Sequence, residues 1–161
     1  MEIKISTYDF FNKFILGLVL IGILIILFND KINISIEDYH NIKENKIILT
    51  VFYVAALAIV YEVGIIVNRL GSLLEDFLII CHFIKFNKDY KKFNDKRKDY
   101  PILTILSREY ALSRNSIVLF LLISTITFIR FGWYGFIPFA IMSLFYFSCR
   151  KYAKRICDLM K

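Results

Sequence analysis

The stretch Ile117–Cys149, IVLFLLISTITFIRFGWYGFIPFAIMSLFYFSC, is 33 residues long and carries a single charge, Arg130. As one helix it would run about 50 Å, well beyond the roughly 30 Å hydrocarbon core of a bilayer. Its middle, Arg130 to Phe136, contains the means to break it. Gly132 and Gly135 loosen the helix, and Trp133 and Tyr134 suit the lipid–water interface. The stretch therefore reads as a tight hairpin of two membrane-crossing helices, at about 115–130 and 135–149. Asp99-Tyr-Pro101 upstream looks like a helix start, with proline tolerated in the first turn. The first arm of the hairpin is thus expected to begin outside the membrane, near Pro101.

Two further apolar runs precede it. Phe14–Phe28 rises roughly 22 Å as a helix, and extending it back to Phe11 closes the gap to a full span if Lys13 snorkels. A signal peptide is the rival reading, but no small-residue cleavage site follows the run. The second run, Ile47–Val67, is 21 residues long with Glu62 as its only charge. Past Arg69 the spacing of Leu74, Phe77, Leu78, Cys81 and Ile84 predicts an amphipathic continuation, with Glu75, Asp76 and Lys85 off the stripe. These observations predict an all-α integral membrane bundle, a single membrane domain over 1–161. Four transmembrane helices at about 11–28, 47–67, 115–130 and 135–149 would be joined by a helical cytoplasmic segment at about 68–114.

Composition agrees. Hydrophobic residues make up 58% of the chain, against about 45–50% in soluble domains. The net charge of +7 could point to nucleic acid or to anionic lipid, but the distribution of the basic residues accounts for it first. With both termini and the central segment in the cytoplasm, 17 Lys and Arg lie inside and 4 outside. That is the positive-inside bias of a multi-pass membrane protein. Cys81, Cys149 and Cys157 have no metal spacing and imply free thiols. The loop after the first span contains the sequon Asn33-Ile-Ser35 and an isolated His40, neither of which suggests a site.

Glu62 is the leading candidate for function. It sits roughly 8 Å inside the inner end of the second span, where an ionisable group normally faces protein or water. Ala55, Ala58, Glu62, Ile65 and Arg69 share a helical face, and Ala55, Ala58, Gly64 and Gly71 permit close helix approach. An inward ring of Glu62 in a homo-oligomer would favour cations. The structural alternative is an ion pair of Glu62 with Arg69, Arg108 or Arg114. Asn68 and Arg69 mark the inner mouth, and Ser124 and Thr127 could line a pore or simply bond the preceding turn. A Glu75–His82 metal site is conceivable, but nothing else at ligand spacing supports it. No catalytic set and no cofactor motif is present.

The segment Lys85–Tyr100, KFNKDYKKFNDKRKDY, alternates seven basic residues with Phe86, Tyr90, Phe93 and Tyr100. It reads either as a solvated loop near anionic lipid or as a site for a single-stranded oligonucleotide, with aromatics stacking bases. The anion-binding candidates are Lys85, Lys88, Lys91, Lys92, Lys96, Arg97, Lys98, Arg108, Arg114, Tyr90 and Phe93. The C-terminal CRKYAKRICDLMK reads as a short basic helix lying on the inner leaflet.

Residues 55–123 resemble a pattern in small bacterial multi-pass membrane proteins. The matching positions are Asn68, Arg69, Gly71, Ser72, Glu75, Asp76, Tyr90, Leu106, Ser107, Glu109, Tyr110 and Arg114. Such proteins look like membrane effectors of anti-phage defence, of the Hailong type. The resemblance implies a homo-oligomeric ion channel that depolarises an infected cell. It also implies a ligand in the form of a DNA oligomer made by a partner nucleotidyltransferase, which favours the oligonucleotide reading of 85–100. The function expected is a pore gated by an anionic nucleotide or oligonucleotide, not an enzyme. The rivals are a non-conducting membrane scaffold and an intramembrane enzyme acting on lipid through Glu62, Glu75, Asp76 or His82.

Overall fold

The computed structural model describes residues 7–28, 46–84, 86 and 89–161, which form helices and turns with no strand among them. The loop holding Asn33 and His40, together with Lys85 and Lys88, lies outside the described residues, as does the side chain of Tyr90. Helix α1 is Thr7–Phe28, α2 is Lys46–Ile80, α3 is Tyr90–Asp99, α4 is Ile102–Phe131 and α5 is Phe136–Leu159, with a 3-10 turn at Gly132–Gly135. Three described stretches are long and apolar enough to cross a bilayer: Phe10–Phe28, Lys46–Ile80 and Ile102–Leu159. The third is the stretch that the turn divides into α4 and α5.

That turn has a local cause. Gly132 adopts φ 60° and ψ −125°, a region closed to residues with a Cβ. Gly135 lies against the Phe128 ring, and its carbonyl accepts the buried Ser124 hydroxyl at 2.9 Å. At the other end, Pro101 caps α4, as the Asp99-Tyr-Pro101 signal predicts.

By contacts the chain divides into two compact units, up to Val67 and from Asn68 onward. In the first, α1 packs on the preceding part of α2 through paired glycines. Gly17 lies on the carbonyl of Val60, and Gly64 lies on the carbonyl of Lys13, with no room for a Cβ at either. Leu16, Leu20, Val60 and Val67 are buried along this seam, and Phe10 stacks on Tyr61 at 5.1 Å. Gly17 carries half of the contact and was not expected from spacing.

In the second unit, α4 and α5 pack along one another. Leu103, Leu106, Tyr110 and Ile117 of α4 meet Cys149, Ala153, Ile156 and Met160 in one core with Ile84. This corrects the expectation for the C-terminal basic segment. It does not form a separate surface helix but continues α5 to Leu159, because Cys149, Ala153, Ile156 and Met160 recur at helical spacing and bury that face. The amphipathic stripe past Arg69 also needs correction. Leu74, Leu78 and Ile84 pack on the core, but Phe77 and Cys81 are exposed, and Glu75 is buried. Residues 90–99, where a solvated loop was one expectation, form a helix instead. The Asp89 side chain accepts the Lys92 amide at 3.0 Å, and Lys96, Arg97 and Lys98 complement the last turn.

Candidate functional site

Glu75 is 5% exposed in a largely apolar surrounding, so it needs a partner. Arg114 of α4 supplies one, donating from Nη1 to Oε2 at 2.5 Å. Arg114 Nε also donates to Asn115 Oδ1 at 3.3 Å, and Asn115 Nδ2 donates to Asn68 Oδ1 at 2.8 Å. Arg114 Nη2 reaches the same Asn68 oxygen at 3.4 Å. Asn115 is fully buried, and Gly71 lies directly against its Oδ1, so the absence of a side chain at 71 admits the carboxamide. Positions 68, 71 and 75 recur at helical spacing on α2, which is why one face of that helix can meet two adjacent residues of α4.

A cavity of about 210 Å³ adjoins this network, lined by Glu75, Arg114, Tyr110, Ser107, Phe86 and Phe93 among others. Phe86 stacks on Tyr110, with ring centroids 4.9 Å apart and planes 11° apart. The Tyr110 hydroxyl is buried without a hydrogen-bond partner among the described residues. Six of the residues that carry the resemblance, Asn68, Gly71, Glu75, Ser107, Tyr110 and Arg114, thus meet at the network and its cavity. Asn115 completes the network. Sequence reasoning missed it because a lone asparagine beside an arginine carries no periodic signal.

Of the anion-binding candidates among the described residues, several are engaged within the chain. Arg114 is committed to Glu75, Asn68 and Asn115, and Arg97 donates to the Thr104 hydroxyl at 2.8 Å. Lys96 lies over the Tyr100 ring at 5.7 Å, and Arg108 is half-buried and engaged. Phe93 packs against the core and lines the cavity. Lys91, Lys92 and Lys98 are exposed on α3. Ser124 binds Gly135, and Thr127 donates to the Ile123 carbonyl at 2.8 Å, so both hydroxyls are engaged within the chain. His82 is exposed at the end of α2, while Glu75 is held in its ion pair; the described residues contain no cluster of metal-binding side chains.

Glu62 belongs to the first unit. It points away from α1, since Val60 and Gly64 make that contact, and it is exposed along with Ala55 and Ala58. Among the described residues it makes no hydrogen bond or ion pair. Arg69 is exposed as well, and of the three arginines considered as partners for Glu62, Arg114 pairs with Glu75. No family model, curated protein or solved structure matches the chain.

Proposed function

We propose that the protein is a four-span protein of the bacterial inner membrane, with both termini cytoplasmic, and that its copies assemble into a cation-conducting pore. The observation that carries this reading is the exposed Glu62 in the apolar part of α2, which has no ion pair or hydrogen bond among the described residues. A charged side chain facing lipid costs about 2.5–3.5 kcal/mol at the centre of a span on insertion scales, and less at the depth of Glu62 nearer the inner end. Facing a hydrated lumen shared between copies removes that cost, and a ring of such carboxylates attracts cations. Ala55 and Ala58 on the same face let neighbouring copies approach closely. The 17-to-4 distribution of basic residues supports the orientation.

An anionic ligand of the nucleotide or oligonucleotide kind gates the pore through the exposed lysines of α3, Lys91, Lys92 and Lys98. It does so only to the extent that it binds the open and closed states differently. Conduction of this kind would depolarise the cell, in keeping with a role in anti-phage defence.

Reconstitution in liposomes tests the pore. Potassium flux is expected for the assembled wild-type protein and is expected to change severalfold in rate or selectivity with Glu62→Gln. A correctly assembled oligomer that passes no ions, with or without nucleotides and oligonucleotides, would leave the non-conducting scaffold as the correct reading.

A further inference from the structure

Helix α2 ends on a cap that glycine usually completes. The amide of Phe83 donates to the Leu78 carbonyl and that of His82 to the Ile79 carbonyl, each at 3.0 Å. These are the paired bonds of a Schellman motif, which requires a left-handed residue. Here that residue is His82, with φ 61°, the one described non-glycine residue with positive φ. A residue held against its steric preference suggests a use for its side chain.

The cap sets His82 and Phe83 at a groove of about 750 Å³ whose other wall is the end of α5, with Arg150, Lys154 and Asp158, followed by Lys161. Arg150 and Lys154 stand one helical turn apart and share a face. Asp158 is matched by Lys161 at 3.0 Å. Arg150 and Lys154 are exposed and have no ion pair or hydrogen bond among the described residues. The groove therefore presents two uncompensated cations and an imidazole, with an aromatic ring at its rim. Arg150 follows directly on the apolar arm that ends at Cys149.

We propose that this groove binds a phosphate group, with Arg150 and Lys154 as the charged contacts and His82 as a hydrogen-bonding one. A guanidinium offers a two-pronged grip on phosphate oxygens, and an ammonium adds a point charge. None of the exposed lysines of α3 lines the groove, although Lys92 lines an adjoining pocket with Cys157 and Lys161, and the binding does not depend on conduction. Its place at the cytoplasmic membrane surface rests on the four-span reading. The phosphate has two possible sources there, the headgroup of an anionic phospholipid or a free phosphate compound.

Native mass spectrometry and calorimetry on the purified full chain distinguish them. The probes are short-chain phosphatidylglycerol against phosphatidylcholine, and inorganic pyrophosphate. The expected result is preferential binding of phosphatidylglycerol, or saturable binding of pyrophosphate, weakened roughly tenfold or more by Arg150→Gln with Lys154→Gln. Selective lipid retention assigns the headgroup, and pyrophosphate binding assigns the free compound. The exposed pair Lys151 and Arg155 supplies the control, because Lys151→Gln with Arg155→Gln removes equal charge outside the groove. An equal loss in the control, an unchanged groove variant, or no binding of any probe overturns the proposal. His82→Gly is expected to raise the melting temperature by about 2 °C by relieving the left-handed strain, while weakening phosphate binding severalfold. A glycine variant that binds like wild type removes His82 from the site.

Discussion

At the scale of the residue, the decisive feature is the ion pair of Glu75 and Arg114. Its side chains are 6% and 14% exposed, so each charge depends on the other for solvation. Replacing one partner leaves the second charge buried and alone, which typically costs about 3–5 kcal/mol. Glu75→Gln is therefore expected to lower the thermal unfolding midpoint sharply in detergent. Combining Glu75→Leu with Arg114→Met should recover most of the loss, because an apolar pair of similar volume does not strand a charge. A single variant that melts like wild type would show that the pair does not fasten this part of α2 to α4. Glu62 contrasts with it. It is also a carboxylate in an apolar helix, yet the described residues of its own chain leave it open.

At the scale of the element, α1 and α2 meet through backbone. Gly17 and Gly64 bring main chain onto main chain, a contact suited to helices that gain little from apolar burial against lipid. Gly64→Leu would place a branched side chain on the Lys13 carbonyl, and the helices would have to part. Overpacking of this kind costs about 1–3 kcal/mol. Gly22 makes a good control, since nothing lies near the position of its missing Cβ. Gly22→Ala is expected to be neutral or stabilising by up to about 1 kcal/mol, as alanine is the better helix former. Thermal unfolding of both variants checks the pair, and equal behaviour would contradict glycine packing as the reason for the contact.

For the whole molecule, the distribution of apolar surface matters most. Ile47 is 77% exposed, Ile129 83% and Trp133 72%, far more apolar exposure than water tolerates in contiguous patches. The proposed four-span arrangement predicts opposite sides for two markers. Exposed Cys81 should react with a membrane-impermeant maleimide only once the cytoplasmic side is opened. Trp133→Cys, in a chain with Cys81→Ser and Cys157→Ser, should react in intact cells. Labelling of both from the same side would refute the arrangement.

The sequence by itself determined the helices and where most of them break. Apolar runs of bilayer length, Pro101 before Ile102, and two glycines around Trp133 and Tyr134 act within a few residues, so their effect is legible locally. It also singled out Glu62 as a charge out of place. What only the tertiary structure decided is which polar groups turn inward. Glu75 is buried while its neighbour Asp76 is exposed, because Arg114 stands 39 residues away in sequence. Asn68 is matched by Asn115, 47 residues on, and Gly71 makes space for it. The basic C-terminal segment joins the core because Leu103, Leu106 and Tyr110 offer a surface to its apolar face. Burial of a polar group depends on a partner at long range, and no local pattern encodes the partner.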